Sequence, residues 1–291
     1  MKNIKQVVTG CCVVAMLLTG CGSGIRFDLN GEVYTQEDMT HFASEKVAIE
    51  ELTALDVESI YSDFEIIASD GYYIEYSYYY INNEPTLTIN DGKLVFSDRD
   101  MNTGNYSIQM NEDNYLKIYI PTTTNFDEIK IAKSSGDCFV GSFLANEVSI
   151  TNHYGETMIS NSQAKQLNLF VSSGKITVLK SNIKDVDITN NYGELEIKTS
   201  TFSELKGSFN SGNVGVEDSS IDQVEIDNAY GSVALELIGK YEDYKYNIIN
   251  EYGTTKINDE VLAKSVLIDR GADKLIDLSV TSGDIEITFT E

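Results

Sequence analysis

Through the second half of the chain, apolar and polar residues alternate in short runs that break at a glycine. Around Gly193 the order is Val186, Asp187, Ile188, Thr189 before the turn and Glu194, Leu195, Glu196, Ile197 after it. Val186, Ile188, Leu195 and Ile197 share one face and the four polar residues the other, the period-two mark of a half-buried strand. The frame returns as Leu167 and Leu169 with Ile176 and Val178, and as Val224 and Ile226 with Val233 and Leu235. No run of comparable length carries helical spacing, and only two prolines interrupt the chain. β-branched residues, tyrosine and threonine fill the runs, as a pleated surface prefers. The prediction is an all-β chain.

The turns keep time. Gly136, Gly155, Gly174, Gly193, Gly212 and Gly231 stand nineteen residues apart, while Gly253 and Gly283 occupy similar turns out of step. The residue before each alternates as Ser135, Tyr154, Ser173, Tyr192, Ser211, Tyr230. A fixed period near twenty marks an array whose units bury their apolar faces by stacking. The glycines are read as structural turn repeats, placed where the backbone needs positive φ or a close approach. The expected fold is a parallel β-solenoid, or β-helix, with strand-turn-strand repeats of about nineteen residues. It is expected to be right-handed, the hand of nearly all parallel crossovers. Two coil lengths fit. Nineteen residues per coil alternates serine and tyrosine turns up one edge. Thirty-eight stacks Tyr154, Tyr192 and Tyr230 at about 4.8 Å, with Asn152, Asn190 and Asn228 as a ladder beside them. Like-on-like stacking favours the longer coil.

Residues 1–20 read as a lipoprotein signal peptide: Lys2 and Lys5, then an apolar stretch over residues 7–18 too short to span a bilayer. The segment ends in Leu18-Thr19-Gly20-Cys21, which resembles the bacterial lipoprotein signal and so implies diacylation of Cys21. Two or more acyl chains anchor stably where one does not. The expected location is a bacterial membrane, lipid-anchored and facing outside the cytoplasm. Residues 21–51 form the tether and a poorly patterned opening segment. There Thr35-Gln36-Glu37-Asp38 fits the cap of a short helix reaching about Lys46. The solenoid is assigned to residues 52–291, with regular glycine repeats from about residue 134. Its last strand, after Gly283, is expected at an edge, protected by alternating acids or open to a partner.

Charge narrows the partners. The formal net charge is -25, moving to about -27 once Lys2 and Lys5 leave with the signal. Such a surface repels nucleic acid and anionic lipid and attracts cationic peptides or basic protein patches. Of four cysteines, Cys11 and Cys12 lie in the signal and Cys21 takes lipid. The remaining Cys138 has inward parity and is expected to be buried and structural. Stability then rests on the stacked core, at roughly 1.5–3 kcal/mol per fully buried Val, Leu or Ile before entropy is subtracted.

Catalytic chemistry is sparse. The two histidines are His41, in the opening segment, and His153, in a turn whose counterparts are Asn191, Ala229 and Glu251. No nucleophile motif, metal-ligand cluster or phosphate loop is present, and no cofactor is expected. Carboxylates such as Asp187, Glu194, Glu196, Asp222 and Glu225 can sit at the separation glycoside cleavage needs. They also fit a solvated outer face, and the chain has no tryptophan for sugar stacking. Residues 111–114 and 218–222 offer hard oxygens for calcium without a calcium-loop spacing. Tyr73, Tyr76, Tyr78, Tyr79 and Tyr80 cluster on one strand and form a candidate binding surface, Tyr76, Tyr78 and Tyr80 facing one way.

Asp63-Phe64-Glu65-Ile66, Gly92-Lys93-Leu94-Val95-Phe96 and Leu116-Lys117-Ile118-Tyr119-Ile120-Pro121 precede the repeated Ser-Gly or Tyr-Gly turns. In that order they resemble the bacterial adhesin-like family of β-strand-repeat proteins, a domain of unknown function. The resemblance covers about residues 52–291 and implies an exported or membrane-tethered solenoid without an agreed activity. The expected function is thus a non-catalytic surface lipoprotein presenting a binding or scaffolding face to an unknown protein, peptide or cell-wall ligand. One alternative is an envelope-stress component that binds cationic peptides or a membrane partner. The other is a cell-wall polysaccharide enzyme.

Overall fold

The computed structural model describes residues 26–27, 33–34, 39–80, 83–99 and 114–290. The signal peptide, Cys21 and residues 111–113 lie outside the described residues. Long strands Leu144–Tyr154, Gln163–Ser173, Asn182–Tyr192 and Thr201–Ser211 lie parallel, one beside the next. Short strands Thr157–Ser160, Ile176–Leu179 and Leu195–Lys198 form a second parallel set. Alternation decides which side chains meet: Val148, Leu167, Val186, Leu205 and Val224 form one inner column, and Ile159, Val178, Ile197 and Val216 face the same core from the short strands. Gly207 interrupts a column of Ile188 and Ile226 because the ring of Phe209 occupies the space a side chain would fill there.

Paired residues are nineteen apart: Val148 lies beside Leu167 and Leu167 beside Val186. Tyr154 therefore lies beside Ser173, and Ser173 beside Tyr192. The thirty-eight-residue stacking, with tyrosine directly on tyrosine, is overturned by this register. Serine and tyrosine turns alternate up a single edge instead.

Both ends of the stack are interleaved. At the start, Ala54–Tyr61 and Asp63–Ala68 pair with Asn125–Ser135 and Cys138–Gly141 on one side. On their other side lie Lys93–Ser97 and Tyr115–Ile120, also parallel. Beyond these the strands reverse: Thr86–Asn90 and Tyr73–Tyr80 are antiparallel, with Thr40–Ala48 outermost. Thr40–Ala48 is a strand, so the short helix expected to reach Lys46 does not form over these residues. Its backbone pairs with Tyr73–Tyr80, whose otherwise open edge supplies the partner that local propensity could not reveal.

At the far end the chain runs out through Tyr244–Tyr252 and Thr255–Ile257, then turns back antiparallel through Glu260–Leu262 and Ser265–Ile268. The last two strands, Lys274–Ser282 and Ile285–Thr290, then enter between layers already laid down. Val224 and Tyr246 both pair with Ile276, and Leu235 and Ile257 both pair with Ile287. The final strand is thus an interior one, correcting its expected place at an edge. Alternating Glu286 and Thr288 face outward from a strand whose backbone is bonded on both sides.

Candidate functional site

The glycine-turn edge combines two sequence frames. Asn-x-Tyr-Gly occurs at residues 152–155, 190–193, 228–231 and 250–253, whereas Val171, Phe209 and Val280 hold the asparagine position in the serine turns. Asn152, Asn190 and Asn250 are fully buried and Asn228 nearly so. Each donates from Nδ2 to a glycine carbonyl of a neighbouring layer: Gly136 at 3.0 Å, Gly174 at 3.1 Å, Gly212 at 2.9 Å and Gly283 at 3.1 Å for Asn152, Asn190, Asn228 and Asn250. Val171 separates Asn152 from Asn190, and Phe209 separates Asn190 from Asn228, so the expected asparagine ladder is interrupted at every other rung. The four Oδ1 atoms have no hydrogen-bond partner.

Directly beside them the glycines stack backbone on backbone. Gly212 has φ +147°, and a Cβ there would run into the carbonyl oxygen of Gly193. This close approach stacks each turn directly on the next and leaves the preceding residues on the outside of the edge. Tyr154, Tyr192, Tyr230 and Tyr252 are 61%, 59%, 60% and 70% exposed, with half-buried Ser173, Ser211 and Ser282 between them. Tyrosine thus recurs at every second rung, about 9.6 Å apart at two strand spacings. Sequence reasoning treats these tyrosines as turn markers; the alternation Tyr-Gly, Ser-Gly is the signal for an exposed aromatic row.

The opposite turn carries no glycine clock and escapes a reading of the sequence. Asn161, Lys180, Thr199 and Asp218 adopt φ near +50° there. Each is followed by a buried serine, and the serines form a ladder. The amide of Ser162 donates to Ser181 Oγ at 3.3 Å, that of Ser181 to Ser200 Oγ at 3.2 Å, and that of Ser200 to Ser219 Oγ at 3.0 Å. The spacing of Ser162, Ser181, Ser200 and Ser219 is the signal that could have found it.

The strand Tyr73–Tyr80 places its aromatics differently from the candidate surface. Tyr78 is fully buried, 4.9 Å ring to ring from Phe96, and donates to Ser62 Oγ at 3.0 Å, so it belongs to the core. Tyr76 and Tyr80 pack partly buried against the same core, and Tyr76 stacks on Phe42 at 4.6 Å. Tyr79 stacks on His41 at 4.3 Å, and His41 Nε2 meets Ser77 Oγ at 2.9 Å. The Lys46 ammonium lies over Tyr73 and over Tyr119, at 4.5 Å and 3.9 Å. Tyr119 and Tyr115 donate to Glu75, which holds that carboxyl below the usual range. These rings are engaged with neighbours on their own sheet.

An interior polar group lies where the regular coils meet the opening ones. Asp98 accepts from Ser59 Oγ at 2.8 Å and the Ile60 amide at 2.6 Å, and burial pushes its carboxyl up to about 6. Lys133, also buried, donates to the Ser62 carbonyl, and burial pulls its amine down against the pull of Cys138, Asp63 and Asp98. Cys138 is a buried free thiol, pushed up to about 12 by its burial.

Among the outer carboxylates, Glu196 is held by Lys175 at 2.6 Å and Lys198 at 2.7 Å, and Asp222 by Lys274 at 3.0 Å. The lysine hydrogen bonds keep Glu196 below the ordinary carboxylate range. A shallow depression forms where Gly215 and Ala234 replace larger side chains, rimmed by Glu196, Glu217, Glu236 and Glu286. His153 lies exposed at the tyrosine edge, with Nδ1 2.9 Å from Ser172 Oγ. Among the described residues no three His, Cys, Asp or Glu side chains are placed to hold a metal ion. No helix among them is long and apolar enough to cross a membrane.

A structure of a "putative adhesin" from Parabacteroides distasonis ATCC 8503 superposes with TM-score 0.51 at 12% identity, covering 86% of this chain and 97% of that one. Another "putative adhesin", from Parabacteroides merdae ATCC 43184, gives TM-score 0.45 at 10% identity over 87% of this chain and 96% of that one. No protein of curated function matches. Residues 52–288 match the family described as Toastrack DUF4097. With most of its length inside that match and its strands stacked in parallel register, the chain belongs to the Toastrack DUF4097 family, a domain of unknown function.

Proposed function

We propose that this protein is a non-catalytic, membrane-tethered scaffold, lipidated at Cys21, that displays an adhesin-like binding edge outside the cytoplasm on a right-handed solenoid of nineteen-residue coils. The observation that carries this reading is the row of tyrosines, each more than half exposed, on an edge of closely stacked glycine turns. Exposed aromatic rings of low conformational freedom are the common anchors of recognition surfaces. The signal-like segment ending at Cys21 supports tethering, and the adhesin names of the structural relatives accord with display at a surface. A polysaccharide enzyme is disfavoured by the same geometry. Asp98, with its raised carboxyl, is buried beneath Ser59, and Glu196 is neutralised by two lysines, so neither offers a free acid beside a groove.

The test has two parts. Wild type is expected in the membrane fraction of a bacterial host and a Cys21→Ala variant in the soluble fraction; equal partitioning removes the anchor. The full chain is then expected to capture a ligand from intact cells, and replacing the exposed tyrosines should reduce that capture. Unchanged capture by the tyrosine variants removes the binding edge.

The acidic depression supports a second reading, capture of cationic peptides at Glu236 and Glu286, which has its own diagnostic. Such binding must weaken steeply as salt is raised, because exposed charges are screened beyond about 8 Å at physiological ionic strength.

A further inference from the structure

Tyrosine occupies alternate rungs of the turn edge at Tyr154, Tyr192, Tyr230 and Tyr252, with the smaller Ser173 and Ser211 recessed between the first three. The result is a row of exposed, amphipathic tyrosine rings repeating at about 9.6 Å. We infer that this edge binds an uncharged, extended β-linked glycan, with one tyrosine ring under each disaccharide. The proposal rests on the binding-scaffold reading above and specifies its ligand class.

Three observations favour a glycan over other occupants. First, the period of the row is close to the length of a β-linked disaccharide in its extended form, so ring after ring meets an equivalent sugar face. Among protein partners only another stacked β structure, such as a second copy of this chain, shares that constant interval. Second, the column just before the first three tyrosine rungs is hydrogen-bonding and uncharged: His153 and Ser172 bond between adjacent rungs at 2.9 Å, and Asn191 and Asn210 continue the column, with charge at Glu251 at its far end and at Glu156, Lys175 and Glu194 beyond the glycines. Amides, hydroxyls and imidazole suit sugar hydroxyls. Third, charge excludes polyanionic chains from a protein of net charge -25 and opposes a second copy packing against this edge. Tyrosine supplies the flat apolar face that the absent tryptophan would otherwise provide.

The experiment uses the full chain in phosphatidylcholine vesicles. Co-sedimentation is measured with insoluble cellulose as the uncharged β-linked probe and with starch granules as the α-linked control. Affinity for soluble cello-oligosaccharides is read from tyrosine fluorescence, which no tryptophan obscures. The expected result is retention on cellulose and not on starch, with affinity rising at each added disaccharide until the row is filled. Tyr192→Ala should weaken binding about fivefold and Tyr192→Phe should not. These side chains are exposed, so folding is expected to be unchanged, which the melting temperature checks. Equal retention on starch, affinity independent of oligosaccharide length, or indifference to Tyr192→Ala overturns the inference. Concentration-dependent dimerisation that is lost with Tyr192→Ala also overturns it, because a second copy then occupies the edge. If the chain captures a ligand from cells but no glycan, this inference fails while the scaffold reading stands; if it captures nothing, both fail.

Discussion

Lys133 sits in register beside Asn152 and makes the equivalent bond, its Nζ donating to the carbonyl of Ser62 as Asn152 Nδ2 donates to the carbonyl of Gly136. A long amine side chain thus stands where the regular coils begin, replacing an amide with a buried, titratable group near Asp98. The regular array meets its opening coils through a polar joint in the interior.

That joint predicts a pH dependence. Burial raises Asp98 from 3.8 to about 6, so the native state holds its proton more tightly than the unfolded chain does. The contribution is fully present below pH 3.8 and lost as pH rises through about 6. Relative to an Asp98→Asn variant, the wild type should gain about 2–3 kcal/mol between pH 7 and pH 4. Urea denaturation of both proteins across this range checks it; parallel profiles would contradict it.

The glycine stack predicts a contrast between two nearby positions. Gly212→Ala must accommodate φ +147° and a collision with the Gly193 carbonyl, and should cost at least about 3 kcal/mol. At Gly215 the nearest atom to an added Cβ is the Leu195 carbonyl at 3.7 Å, and Gly215→Ala should change stability by less than about 0.5 kcal/mol. Paired thermal melts decide between them.

At the other turn the strain can be relieved. Thr199 is β-branched and exposed, with φ +51°. Thr199→Gly should stabilise the chain by about 0.5–1 kcal/mol, the relief of left-handed strain exceeding the entropy that glycine adds to the unfolded state. A lower denaturation midpoint for the variant would show that the native turn carries no such strain.

Interleaving at the far end predicts that a distant deletion is felt locally. Removing residues 274–291 takes away the partner shared by Val224 and Tyr246. The strands Tyr244–Tyr252 and Thr255–Ile257 should then lose hydrogen-exchange protection although none of their residues is deleted. Retained protection there would mean that the two layers close on each other directly.

The parts of the structure legible in sequence are those with a local cause. Val186, Ile188, Leu195 and Ile197 mark the strands and their buried face, and the glycine spacing locates the turns. Coil length is misread because the Asn-Tyr pairing recurs at twice the interval of the backbone. Val171 and Phe209 hold the asparagine position on the intervening rungs, so the side-chain repeat spans two backbone coils. The opposite turn is hidden since Asn161, Lys180 and Thr199 adopt a glycine-like conformation without glycine. Which strand lies beside which at the two ends depends on contacts between residues far apart in sequence, such as Leu55 with Ile129 and Val224 with Ile276, and no periodicity announces those.

Closing the stack with reversed strands has a consequence for what it can measure. Another parallel layer arriving at Glu260–Leu262 or Thr86–Asn90 would meet a short strand running the opposite way, so end-to-end polymerisation into a fibre is discouraged. The number of aromatic steps is then set once, by the gene. Under the proposal made above, such an edge would act as a ruler of one length for a ligand laid along it.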